Sequence, residues 1–231
     1  MNFFSNWSIS TNSAYHQGGR IWILWQASEC DINFLEYDAQ YIHMNILNKI
    51  TNMRFFATMV YAFNGSTERE PLWTNLSRLA SGIQGPWAIG GDFNCVLTET
   101  ERVGGSFSRQ DAESFRHCLN QCDVIDSPAM GAIYTWNNKQ CPADKVYSKL
   151  DRFLVNQDWL SSFPLLYAHF LPEGTFDHTP CLVQPTMQDD KRTRPFKYFN
   201  IWSLAPNFKE IVQNGWHRDQ NGTTCMSWLR N

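Results

Sequence analysis

The sequence predicts an α/β domain in which two packed, mixed sheets carry helices on their outer faces. Three observations lead there. The first sixty residues hold five short runs of β character, two amphipathic helical stretches follow, and strand-like sequence returns after residue 146. With 231 residues, 43% of them hydrophobic and 15% aromatic, the chain can fill one sizeable core and carry an appendage.

The β runs are Trp7 to Ser10, Ile21 to Trp25, Ile32 to Tyr37, Ile42 to Leu47 and Phe55 to Tyr61, which alternate or run apolar between Asn, Gly and Ser. A helix then opens near Ser66 or Thr67, either of which can cap it. Leu72, Leu76 and Leu79 share one face, Pro71 is tolerated in the first turn, and Gly82 ends it. Trp87-Ala88-Ile89 is an apolar strand. Ser108 starts a second helix whose Ala112, Phe115, Leu119 and Cys122 recur at helical spacing. Tyr147 to Val155 reads as one strand, and a short helix begun by Asn156 carries Trp159, Leu160 and Phe163 until Pro164 stops it.

Residues 1–188 are expected to form the domain and 189–231 a basic, aromatic connector. The connector holds Lys191-Arg192-Thr193-Arg194-Pro195, then Phe196, Tyr198, Phe199 and Trp202, and a helix-like Phe208, Ile211, Val212 and Trp216. Charge divides the same way. Residues 1–190 hold 12 Lys and Arg against 20 Asp and Glu, and residues 191–231 hold 7 against 2. An acidic body suits a cation-dependent site, and a basic end can meet phosphate or simply be a solvated face.

The seven cysteines are dispersed without a Cys-x-x-Cys, as expected of free thiols in a reducing compartment. His117, Cys118 and Cys122 suggest zinc only superficially. Cys118 and Cys122 lie one helical turn apart on an apolar face and are assigned to the core. No basic run precedes an apolar segment at the N-terminus, and no apolar stretch reaches the length of about 18 residues that spans a membrane. The chain is expected in the nucleus or cytoplasm, not secreted and not in a membrane.

Three segments carry chemistry: Gly90-Gly91-Asp92-Phe93-Asn94, Lys149-Leu150-Asp151-Arg152-Phe153 and Phe176-Asp177-His178-Thr179-Pro180. Asp92 and Asn94 fall at the end of an apolar strand, two residues apart and on one face. The carboxylate can hold a divalent cation or take a proton from water, and the Asn amide can donate to a phosphate oxygen. Asp177 places a second acid beside the His178 imidazole, and Asp151 can fix the tautomer of that ring. Each segment alone also reads as turn or capping chemistry.

Together and in this order the three segments resemble the endonuclease/exonuclease/phosphatase superfamily, the deoxyribonuclease I-like fold. The likeness is closer to the endonuclease domain of plant LINE-type, non-LTR retrotransposon polyproteins. Gly18-Gly19-Arg20-Ile21-Trp22-Ile23-Leu24-Trp25 is similar to the glycine-rich turn and strand of those domains. Val60-Tyr61-Ala62-Phe63-Asn64 resembles their Tyr-x-Pro-Asn segment with Phe63 in place of Pro, and Tyr134-Thr135-Trp136 resembles their aromatic strand. Phe176 stands where Ser commonly precedes Asp-His. The resemblance covers nearly the whole chain, and residues after 189 resemble the connector toward a reverse transcriptase.

The resemblance implies a four-layer sandwich and a phosphodiester hydrolase using Mg²⁺ or Mn²⁺, with DNA as partner and no organic cofactor. It implies Asp92, Asn94, Asp151, His178 and Tyr61 as catalytic residues, Asn64 and Trp136 as substrate-binding, and Asp177 with Asp92 at the metal. It also implies that two strands and a helix, roughly 40 residues on ordinary element lengths, are absent before Met1. With them go an Asn and a metal-binding Glu, so activity is expected to be low or nil. Glu29 and Glu36 lie in hairpin-like sequence and are not expected to replace that Glu. A non-catalytic remnant that contacts nucleic acid or protein, and a hydrolase of small phosphate esters, are the other readings open to the sequence.

Overall fold

The structure, a computed structural model, describes residues 6–185 and, beyond them, Glu210 alone. The chain divides into one unit up to Thr186 and another from Met187. The basic aromatic connector and its helix lie outside the described residues, apart from a helical Glu210.

The scaffold is a six-stranded sheet of β3 (Cys30–Tyr37), β4 (Tyr41–Asn48), β5 (Met53–Tyr61), β6 (Trp87–Asp92), β12 (Asp151–Val155) and β8 (Ile125–Asp126), in that order. Only β5 and β6 run parallel, because the helix between them, α1 (Ser66–Ala80), carries the chain back across the sheet. A second mixed sheet pairs β13 (Leu166–Phe170) antiparallel to β14 (Cys181–Pro185) and parallel to β9 (Ala129–Gly131). The hairpin of β1 (Trp7–Thr11) and β2 (Trp22–Gln26) stands apart, as does a small sheet of β7 (Arg102–Val103), β10 (Trp136–Asn137) and β11 (Tyr147–Ser148).

Strand alternation sorts the side chains into two faces. Trp87, Ile89, Leu154 and Val60 join the apolar stripes of α1 and α2 (Arg109–Cys122), including Leu72, Leu76, Phe115 and Cys122. Ala88, Phe153 and Val155 turn the other way, onto Trp159 of α3 (Gln157–Ser162) and Ala168 and Phe170 of the second sheet. On that same face Ile42, Met44 and Ala57 receive Ile21 of the hairpin. The outer face of the hairpin stays uncovered: Trp7, Ile9, Trp22 and Leu24 are all exposed. The six cysteines among the described residues are free, with Cys118 and Cys122 in the core as expected. No helix among the described residues is long and apolar enough to cross a membrane.

Ser108 and Asn156 cap their helices as the sequence predicts, their side chains accepting from the backbone of Asp111 and Trp159. Two expectations fail locally. α1 is capped by Gly65 without a side-chain bond, so Ser66 is its first residue and Pro71 lies inside it, beyond the first turn. The buried Arg69 secures this end instead, its guanidinium donating to the carbonyls of Phe63 and Asn64. The single strand expected over 147–155 is broken at Lys149-Leu150, because the backbone N–H groups of Leu150 and Asp151 both turn to the Thr135 hydroxyl. Tyr147–Ser148 therefore belongs to the small sheet and only Asp151–Val155 to the large one.

One glycine is required by packing. Gly91 has φ +135°, and a Cβ there would lie 2.0 Å from the Val60 carbonyl oxygen, so β5 and β6 could not keep their spacing.

Candidate active site

Three adjacent strands present one row of side chains at one end of the large sheet. Tyr61 of β5 is the register partner of Asp92 of β6, which is the partner of Asp151 of β12. All three share the face toward the second sheet, because they follow the parity of Ala57, Ala88 and Phe153. His178 reaches this row from the segment before β14. That segment is held by a bridge between Trp136 and His178 and by bonds from Asn137 N to Asp177 O and from Thr179 N to Thr135 O, at 3.0 and 2.8 Å.

His178 Nδ1 lies 2.9 Å from Asp151 Oδ2, and its Nε2 lies 3.9 Å from Asp92 Oδ2. Asp151 thus fixes the ring so that Nδ1 carries the donated proton and Nε2 faces Asp92. Asp92 is 5% exposed. Burial and then the charge of Asp151 raise its pKa to about 6, against opposition from the Asn94 N–H, His178 and Arg20. For His178, burial disfavours the charged ring. The hydrogen bond with Asp151 and the charges of Asp151, Asp92 and Asp177 outweigh it and hold the pKa above the usual histidine value.

The remaining expected residues are placed differently. Asn94 is not on a strand face with Asp92. The strand ends at Asp92, Asn94 takes φ +48°, and its N–H donates to Asp92 Oδ1 at 2.8 Å in an Asx turn. Its side-chain amide donates to the Ala62 carbonyl at 2.8 Å, so Asn94 ties the end of β5 to the turn. Asn64 is exposed, outside the cleft, and its carbonyl is held by Arg69. Trp136 stands at the rim, where its indole N–H donates to Asp177 Oδ2 at 3.2 Å. Asp177 is exposed and accepts that bond at the rim, whereas Asp92 is buried in the row. Among the described residues no three His, Cys, Asp or Glu side chains are gathered to hold a metal ion. The described residues therefore offer no ready-made ligand set for Mg²⁺ or Mn²⁺. Glu36 supplies no ligand either, being bonded to Tyr41 and Arg78.

The cleft over this row has a volume of ≈ 340 Å³ and is lined by Tyr61, Gly91, Asp92, Asp151 and His178 from one side and Arg20 and Trp22 from the other. Sequence reasoning assigned no role to Arg20, Asn12 or Thr135. Asn12 is fully buried; its Oδ1 accepts from the backbone of Arg20 and Ile21, and its Nδ2 donates to the carbonyls of Asp38 and Ala39. It thereby seats Arg20 at the cleft. Thr135 holds Asp151 through its hydroxyl and the His178 segment through its carbonyl.

No protein-family profile matches the chain, and no curated protein matches it. Solved structures do. The endonuclease domain of TRAS1, a telomere-specific non-LTR retrotransposon, superposes with a TM-score of 0.60 over 80% of this chain and 82% of that one, at 14% identity. The chain has the endonuclease/exonuclease/phosphatase fold. A second structure with this fold, the 3′ phosphatase NExo from Neisseria bound to a product DNA hairpin, gives 0.56 over 79% and 80%, at 15% identity. A functionally unknown protein from Enterococcus faecalis with the same arrangement gives 0.50 over 78% and 76%, at 16% identity. Nucleases and phosphatases thus share the fold, and at these identities the likeness establishes architecture alone.

Proposed function

We propose that the cleft binds a DNA phosphodiester and hydrolyses it slowly, in the manner of a retrotransposon endonuclease domain with low activity. The observation that carries this reading is the Asp151–His178–Asp92 relay at the end of the large sheet. Asp92, with a pKa of about 6, is largely ionised at neutral pH and can take a proton from an attacking water. The charged imidazole of His178 can stabilise charge that develops on the phosphate oxygens, and Asp151 keeps it oriented. Tyr61, beside Asp92, can donate its hydroxyl to the same phosphate. The low-activity reading is supported by the described residues, among which no group of three His, Cys, Asp or Glu side chains is gathered to hold the divalent cation that would neutralise phosphate charge.

The test is nicking of supercoiled plasmid in Mg²⁺ and in EDTA by the unmodified protein, Asp92→Ala and His178→Ala. Slow nicking, abolished by either substitution, is expected. That same lack of a metal cluster favours a second reading, a nucleic-acid interaction module without catalysis. DNA binding with no cleavage sensitive to Asp92→Ala would establish it.

A further inference from the structure

We infer that Arg20 is a positioning residue of the cleft: its guanidinium, laid over the face of Tyr61, holds that ring and its hydroxyl in the row beside Asp92. This rests on the phosphodiester reading, in which the Tyr61 hydroxyl donates to phosphate, and names the group that aims the donor. The Arg20 guanidinium lies 4.0 Å from the centroid of the Tyr61 ring and 5.6 Å from that of Phe63. At the shorter distance it makes a cation–π contact with one face of the ring. Tyr61 also packs against the cluster of Ile21, Ile42, Met44 and Ala57. Among the described residues its hydroxyl makes no hydrogen bond, so the ring takes its orientation from these contacts and not from its tip. The charge of Arg20 also favours the ionised form of Asp92, the register partner of Tyr61, and draws the cation to the row.

A clamp must itself be held, and the turn of residues 38–40 between β3 and β4 holds both halves of this one. On the side of the cation, Asn12 Nδ2 donates to the Asp38 and Ala39 carbonyls at 3.1 and 3.0 Å, while Asn12 Oδ1 accepts from the backbone of Arg20 at 2.9 Å. On the side of the ring, Tyr61 N donates to the Gln40 carbonyl at 2.9 Å, and Phe63 N donates to Gln40 Oε1 at 2.8 Å. Asn12 is fully buried and Gln40 2% exposed, so water does not compete for these bonds. One turn therefore sets the distance from the backbone of Arg20 to the backbone of Tyr61, and the cation meets the ring face without a hydrogen bond between them.

The experiment reads the ring first. In protein labelled with 3-fluorotyrosine, the fluorine signal of Tyr61 is the one lost in Tyr61→Phe. The two fluorine positions that a ring flip exchanges should give separate resonances in the unmodified protein and one averaged resonance in Arg20→Gln. Arg20→Lys keeps a cation without the flat stack and should fall between them. Binding of a labelled DNA duplex in EDTA, by fluorescence anisotropy, is read second. Tyr61→Phe keeps the ring, removes the donor and should weaken binding about tenfold. Arg20→Gln should weaken it about fivefold when Tyr61 is present and less than about twofold in the Tyr61→Phe background, because it acts through the hydroxyl. Thermal melts by circular dichroism establish that each variant folds, and Arg20→Lys serves if Arg20→Gln does not. Equal losses in the two backgrounds would make Arg20 an independent contact and overturn the assignment, as would ring exchange that neither Arg20 variant alters. The fluorine signal needs no DNA. A ring freed by Arg20→Gln in a protein that binds no DNA defeats only the phosphodiester reading, whereas nicking abolished by Asp92→Ala beside a ring indifferent to Arg20→Gln defeats only the clamp.

Discussion

Asp92 and Asp151 face each other directly across the antiparallel ladder of β6 and β12, one buried and raised to a pKa of about 6, the other bonded to His178. The like charge of Asp151 adds to burial in making Asp92 a base suited to neutral pH, while the bond to the imidazole gives Asp151 a different task.

This arrangement places a stability cost on the active form. Because Asp92 is neutral in the fold below the ordinary carboxylate pKa, its penalty is absent there, grows as pH rises toward 6, and is complete above it. Asp92→Asn should therefore stabilise the protein by about 3 kcal/mol at pH 7.5 and by almost nothing near pH 3.5. Urea unfolding at the two pH values reads the difference, and an equal effect at both would refute it.

The pH dependence of any hydrolysis should be bell-shaped. Its acid limb should fall near pH 6, where Asp92 takes up a proton and can no longer accept one from water, and its alkaline limb should follow deprotonation of His178. Asp151→Asn removes the group that supports the imidazolium, so the alkaline limb should move to lower pH, and the acid limb should move to lower pH as well because Asp92 loses the like charge that raises its pKa. His178→Ala and Asp92→Ala should each abolish the rate, and the double variant should lose no more, as groups acting as a unit do. Additive losses would separate the two roles.

Five of the six segments of the large sheet were legible because alternation is a local signal, and the two-residue Ile125–Asp126 was too short to show it. His178 was legible from the Asp-His pair that precedes Thr-Pro, and Asp92 and Asp151 from their place at strand ends. Asn94 misled for the same reason. Its sequence position fits both a strand face and an Asx turn, and only the φ of +48° decides. Arg20, Asn12 and Thr135 carry no local signature, since their roles arise from partners far along the chain, such as Asn12 with Asp38 and Ala39. The break before Asp151 was hidden likewise, because the Thr135 hydroxyl that causes it lies 15 and 16 residues away from its two donors.

Below the cleft, Arg152 is 2% exposed and pairs with Glu101 and Asp126, the latter at 2.7 Å. Arg152→Met leaves both carboxylates without their buried partner and should cost about 3–5 kcal/mol. Denaturant titration measures it; a loss under 1 kcal/mol would mean that Lys149, 2.8 Å from Asp126, takes over the pairing.

Gly91→Ala should lower the melting temperature by about 10 °C, since the new methyl meets the Val60 carbonyl and the backbone φ is hostile to any side chain. A melt within about 2 °C of the unmodified protein would show that β5 and β6 can part cheaply.

The row Tyr61, Asp92, Asp151 belongs to the backbone ladder itself, three neighbours in one register. Its spacing is consequently a property of the hydrogen-bonded lattice, with no hinge and no loop able to adjust it. Ligands must fit this row as they find it, so variation in what the cleft accepts has to come from its opposite wall, the hairpin that Asn12 and Ile21 dock onto the sheet.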